Sequence, residues 1–153
     1  VIPLLGNRIR IKHDPMMRRN WMIRDGVLYV SGPREEFAER VTDALKAMAK
    51  KTLSELSHRY AGKIGRRVKR VSVRDTRSRW GSCSSTGNLS FSYRLVFAPR
   101  EVLEYVVAHE VAHLRHMNHS DAFWRAVEFI TPDYEVAKDW LKLHGKDLYR
   151  FNA

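Results

Sequence analysis

Residues 99–119 constrain the fold more than any other stretch of the chain. Pro99 suits the first turn of a helix, and Val102, Val106, Val107, Ala108 and Val111 give the segment after it a largely apolar body, so this helix must be mostly buried. His109, Glu110 and His113 are set into that body. Residues four apart on a helix are turned by about 40° and raised by about 6 Å, so the imidazoles of His109 and His113 can converge on one ion. Glu110 is rotated by about 100° from His109, which keeps it from being a third ligand but leaves it near water held by such an ion. A lone carboxylate on an apolar helix is costly to bury, and a site for metal and water removes that objection.

The stretch reads His-Glu-Val-Ala-His, the HExxH pattern of zinc hydrolases, and four of the seven histidines of the chain lie between 109 and 119. Average residue usage makes a chance HExxH in a chain this long roughly a sub-percent event. A catalytic zinc needs a third protein ligand and one open position. On a continued helix His116 would lie roughly 10 Å along the axis from His109, too far to share one ion. His119 becomes suitable if the helix stops after about Leu114 and the chain turns back, with Asn118 tolerating a left-handed conformation in the turn. The spacing from His109 to His119 equals that of HExxHxxGxxH, with His116 where that pattern has glycine. Glu128 is the reserve third ligand. The expected cofactor is one zinc ion, although three imidazoles also bind nickel, copper or cobalt. Zinc lowers the pKa of bound water to about 7, so Glu110 can take the water proton while the hydroxide attacks a carbonyl or phosphoryl centre. Oxyanion stabilisation could come from Tyr93, Arg94, Tyr134 or His144, each of which can equally be an ordinary surface or core residue.

Elsewhere the pattern is one of small sheets and helices. Arg8 to Lys12 alternates apolar and charged residues, and Trp21–Arg24 and Val27–Val30 flank Asp25-Gly26, suited to a type I′ hairpin turn. Pro33 with Glu35 and Glu36 starts a helix whose stripe of Phe37, Val41, Leu45, Met48, Thr52 and Leu56 continues to Gly62. Val68, Val71 and Val73 mark a strand, and Arg79 to Phe91 reads as two short strands joined by a turn rich in Ser, Gly and Asn. Ser120 or Asp121 can cap a helix through Phe123, Trp124, Val127 and Ile130, ended by Thr131-Pro132-Asp133, and a last helix runs to about His144. No repeat or linker divides the chain, and 153 residues fit a single domain over 1–153.

An apolar fraction of 44% with six Phe, six Tyr and four Trp excludes a disordered chain. Cys83 is the sole cysteine, so no intrachain disulfide can form and a cytoplasmic location is the expectation. Its strand setting offers no activating base, which argues against a thiol nucleophile. The apolar opening from Val1 to Leu5 is too short for a signal sequence and no later run is long enough to span a membrane, so a soluble protein without membrane partners is expected. A start at Val rather than Met is what a trimmed N-terminus would leave, and the sequence does not fix whether a segment precedes it. The net charge is +11, densest from Lys63 to Arg79, which includes Arg66, Arg67, Lys69, Arg70, Arg74, Arg77 and Arg79. Such a balance serves solubility or contacts a polyanion.

The chain resembles the YgjP-like metallopeptidase-domain family, a relative of the WLM and SprT-like zincins. The resemblance rests on Arg79-Trp80-Gly81-Ser82-Cys83, Gly87-Asn88-Leu89-Ser90-Phe91, Arg94-Leu95 with Pro99, Val106 to Leu114, and Asn118-His119-Ser120 with Phe123-Trp124. It implies an α+β fold, a single zincin-like domain with a small β-sheet packed against the HExxH helix and further helices. It also implies zinc on His109, His113 and His119 with Glu110 as base. Ser92-Tyr93 departs from the family's Asn followed by an aromatic residue. In zincins an edge strand beside the metal helix pairs with extended peptide, and the hairpin from Trp80 to Phe91 is the candidate here. Trp80, Tyr93, Arg94 and Tyr134 are the candidate substrate-binding residues.

Three functions compete. The first is a metallopeptidase acting on a peptide or protein. The second is a metal-dependent hydrolase of a phosphate-containing substrate such as a nucleoside triphosphate, favoured if arginines from Arg66 to Arg79 face the metal. The third is a nucleic-acid-associated protein of SprT-like kind, docking through its basic face.

Overall fold

The computed structural model describes residues 1–151; Asn152 and Ala153, the end of the expected domain, lie outside the described residues. Strands β1 (Ile2–Leu4) and β2 (Asn7–His13) pair antiparallel across a turn in which Leu5 and Gly6 both take positive φ. Strands β3 (Trp21–Arg24) and β4 (Val27–Val30) form the expected hairpin. Its turn holds Asp25 at φ 52° and Gly26 at φ 74°, the two left-handed positions a type I′ turn requires. β4 then lies parallel to β2, giving a sheet of order β1-β2-β4-β3 whose Val27, Leu28 and Val30 are buried.

After a 3-10 turn at Arg34–Glu36, helix α1 runs from Phe37 to Lys63, one residue beyond the expected Gly62. Val41, Leu45 and Leu56 of the expected stripe line its buried side together with Leu53 and Tyr60, which the stripe does not include, while Phe37, Met48 and Thr52 sit half-buried at its margins. The helix ends in a Schellman motif. Gly65 takes φ 66°, Arg66 N–H donates to the Ala61 carbonyl at 2.9 Å, and Gly65 N–H donates to Gly62 at 3.2 Å.

Strands β5 (Arg70–Arg74), β6 (Gly81–Cys83) and β7 (Asn88–Ser92) form a second sheet of order β5-β7-β6. β6 and β7 make the expected antiparallel hairpin, and β5 joins β7 in parallel. β6 is thus an edge strand. A 3-10 segment, Tyr93–Phe97, is buried throughout and leads into α2 (Arg100–Ala112), which packs on α1 and beside β6. Ser120 caps α3 (Asp121–Ile130) by accepting the Phe123 N–H at 3.2 Å; α4 (Tyr134–His144) and a 3-10 turn at Gly145–Arg150 follow. One contiguous apolar cluster extends from Leu4 to Leu148, drawing on both sheets and on α1 to α4. The fold is α+β, as expected. No helix among the described residues is long and apolar enough to cross a membrane.

Candidate metal centre

The apolar residues of α2 bury most of its length; Arg100 and Glu101 in its first turn are exposed, and His109 and His113 are half-buried where the helix end meets the bend that carries His119. Ligand nitrogens of His109, His113 and His119 all lie within 4.8 Å of one another. The Nε2 atoms of His109 and His119 face each other at 3.3 Å. Two nitrogens each about 2.05 Å from a tetrahedral zinc are separated by about 3.3 Å, so this spacing fits the donor set of a zinc ion. The chain returns by loosening the helix: Leu114 N–H and Arg115 N–H bond three residues back, to Val111 and Ala112. Asn118 does not adopt the left-handed conformation expected for the turn; among the described residues only Leu5 and Asp25 have positive φ without being glycine. The five residues between His113 and His119 are enough to turn without it.

The outer nitrogens of the helix pair are engaged. His113 Nδ1–H donates to the His116 carbonyl at 3.0 Å, leaving Nε2 with its lone pair for a metal. His116 therefore contributes its backbone, and its ring is outside the histidine cluster. His109 Nδ1 lies 3.4 Å from the Tyr105 hydroxyl. Tyr105 was not singled out in the sequence, yet it stands four residues before His109 on the same helix, the spacing that puts two side chains on one face. Phe123 and Trp124 of α3 complete an aromatic wall around the three rings, and Tyr134 stacks on Trp124 at 5.4 Å.

Burial sets the electrostatics. It pushes His109 down to about 4, helped by His113 and His119 and then Lys138, so its imidazole stays neutral in mild acid. His113 is lowered as well, by burial first, against the opposing bond to His116. Glu110 is 7% exposed, and burial pushes it up to about 7, with Arg79 pulling the other way. A carboxyl of that basicity suits a proton acceptor at neutral pH. Its side chain lies against Gly81 of β6: a Cβ built there would sit 2.8 Å from Glu110 Cγ and 3.1 Å from Oε2. Glycine is needed at this point for space, and the edge strand is brought directly beside the carboxylate. Burial, with Glu110 adding, pushes the Cys83 thiol up to about 11, which leaves it unreactive.

The remaining candidates are dispersed. Tyr134 reaches the centre only through Trp124, and its hydroxyl donates to Glu135 at 3.4 Å. Trp80 stacks on Tyr149 at 5.1 Å and lines a cavity beside β6. Tyr93 is buried against Phe97. Arg94, 2% exposed, bonds Asp75 Oδ1 at 2.9 Å and the Phe151 carbonyl at 2.9 Å, tying the C-terminal turn to the second sheet. His144 pairs with Asp147 at 3.8 Å on the surface, and Glu128 is exposed and outside the histidine cluster. The basic stretch divides: Arg66 and Arg67 line a cavity with His113, Arg74 and Arg79 line the one beside β6, and Arg77 lies over Tyr149.

A buried helix presenting histidines and a carboxyl beside a short edge strand is the frame of a zincin-like metallopeptidase fold. The chain belongs to the YgjP-like metallopeptidase-domain family, whose model matches residues 1–144. Its fold is similar to that of the crystal structure of the metallopeptidase zymogen of Pyrococcus abyssi abylysin, with a TM-score of 0.53 and 23% identity over 61% of this chain and 93% of that one. A comparison with curated proteins finds no significant match.

Proposed function

We propose that this protein is a zinc peptidase, one domain over residues 1–153, in which His109, His113 and His119 hold a single zinc ion and Glu110 is the general base. The observation that carries the reading is the convergence of three imidazoles within 4.8 Å beside a buried carboxyl. When bound, the ion supplies a Lewis acid that acidifies water and polarises a carbonyl. Burial favours the neutral imidazoles of His109 and His113, and their outer nitrogens aim them, while packing on Phe123 and Trp124 orients the His119 ring. Glu110 takes the proton of the attacking water and can return it to the departing amine. Edge strand β6 offers unpaired backbone groups to an extended peptide, which Gly81 lets approach the carboxylate. Cys83, the single cysteine of the sequence, has no partner for an intrachain disulfide, and on that ground the cytoplasm is the location we assign.

The test is metal content followed by cleavage of unfolded protein. Wild type should carry about one zinc per chain. Glu110→Gln should keep the zinc and lose about 10²- to 10⁴-fold in kcat. A wild type that takes up no metal under replete conditions, or a fully active Glu110→Gln, would overturn the assignment.

One observation favours hydrolysis of a phosphate-containing substrate instead, the cavity that Arg66 and Arg67 share with His113. Assay of nucleoside triphosphates beside unfolded protein decides between the two. Docking of nucleic acid gains no such support, because the arginines split between two cavities and an aromatic stack.

A further inference from the structure

Beyond the metal centre, the cavity next to His113 combines features that the reaction itself does not use. It measures about 290 Å³ and is lined by Arg66 and Arg67 from the end of α1, by Arg115 after α2, and by Ser84, Ser85 and Thr86 in the β6–β7 turn. No carboxylate lines it, and among the described residues none of these three arginines makes an ion pair. The backbone that carries them is built rather than loose. The Schellman motif fixes Arg66 N–H on Ala61, and Lys69 N–H donates to the Gly87 carbonyl at 2.9 Å, pinning the arginine segment to the β6–β7 turn. Three like charges around one opening repel each other, and an anionic group between them relieves that repulsion while accepting paired guanidinium hydrogen bonds.

The position of the cavity identifies the anion. Glu110 lies against Gly81, so on the peptidase reading, which this inference deepens, the cleaved bond sits at the Gly81 end of β6. A peptide paired along β6 advances about 3.3 Å per residue, passes Cys83, and reaches the Ser84–Thr86 turn about two to four residues away. We propose that this cavity is a substrate subsite for carboxylate side chains, so that the enzyme selects peptides bearing Asp or Glu about two to four residues from the cleaved bond.

The experiment is positional profiling of the zinc-loaded chain with quenched-fluorescent peptides carrying Asp, Asn, Glu, Gln or Lys at each position. Acidic residues should exceed their amides by about tenfold or more in kcat/KM, and the preference should shrink in 0.5 M NaCl. Arg66→Glu with Arg67→Glu should invert the preference toward Lys, and the milder Gln pair should abolish it, each checked for full zinc content. Lys50→Glu with Lys51→Glu, the same charge change on the exposed side of α1, should leave the acidic-to-amide ratio where it was. Peptides cut with no regard to charge would overturn the subsite and leave the peptidase intact. A chain that cuts no peptide at all would remove both. Arginine variants that alter hydrolysis of nucleoside triphosphates but not peptide preference would reassign the cavity to phosphate.

Discussion

His109 and His113 reach the centre from a buried helix with their outer nitrogens engaged by Tyr105 and the His116 carbonyl, whereas His119 reaches it from an exposed bend. Among the described residues the only hydrogen-bond contact of the His119 ring is the one with His109 Nε2, and its orientation comes from packing on Phe123 and Trp124. The same residue type at one site is thus held in two ways. A ring fixed before the metal arrives loses little freedom on binding, while a ring on a bend has to be ordered. Outer-nitrogen partners are typically worth 10- to 100-fold in metal affinity. Replacing His113 by Ala should therefore weaken zinc binding about tenfold or more beyond the loss in His119→Ala, measured by competition with a chelator. Equal losses would show that the bend is as well organised as the helix.

Adjacent positions on α2 make a second contrast. Burial drives His109 down to about 4 and Glu110 up to about 7, so their effects on stability oppose each other. The native state of the metal-free protein keeps Glu110 protonated where the unfolded carboxyl, near 4.5, has ionised. It therefore binds more protons than the unfolded chain, and this contribution to stability is present below about 4.5 and is lost as pH rises to about 7. His109 works the other way, because the unfolded imidazole takes a proton below about 6.5 that the native one refuses until about 4. In the presence of chelator, the stability of wild type minus that of Glu110→Gln should fall by roughly 3 kcal/mol between pH 4.5 and 7. Denaturant titrations whose difference stays flat across that window would show that Glu110 is not desolvated.

Removing one hydroxyl isolates the positioning of His109. Tyr105→Phe keeps the buried ring and its stacking on Tyr134, and deletes only the partner of Nδ1. Zinc affinity should drop by about 10- to 100-fold with little change in Tm. A purely structural role would lower Tm and leave zinc affinity unchanged.

Much of this arrangement is written locally, and the parts that are not share a cause. Asp25-Gly26 dictates its own turn, the stripe of α1 its own helix, and Ser120 its own cap, because each signal and its effect lie within a few residues. The histidine pattern is equally local on α2. The parallel pairings β2 with β4 and β5 with β7 join segments separated by long connections, and nothing in either strand's composition names its partner. Arg94 illustrates the limit for side chains: next to the small sheet it looks available to substrate, but its guanidinium is enclosed by Asp75 and the C-terminal turn, which arrive from elsewhere in the chain. Tyr105 was readable in principle from its spacing to His109, provided that outer-nitrogen partners are sought along with ligands.

The smallest expected effect probes how the exposed arm is ordered. Ser120 directly follows His119, and its hydroxyl accepts the Phe123 N–H at 3.2 Å, so one residue joins the third histidine to the start of α3. Ser120→Ala should cost about 1 kcal/mol of stability through the lost cap. If the cap also holds the His119 backbone, part of that cost reappears in the metal equilibrium, and zinc affinity falls by up to about fivefold. Should Tm alone decrease while zinc affinity holds, then the arm is oriented by Trp124, whose ring lies 28° from parallel to His119 at 6.1 Å, and Trp124→Ala rather than Ser120→Ala would loosen the His119 ring.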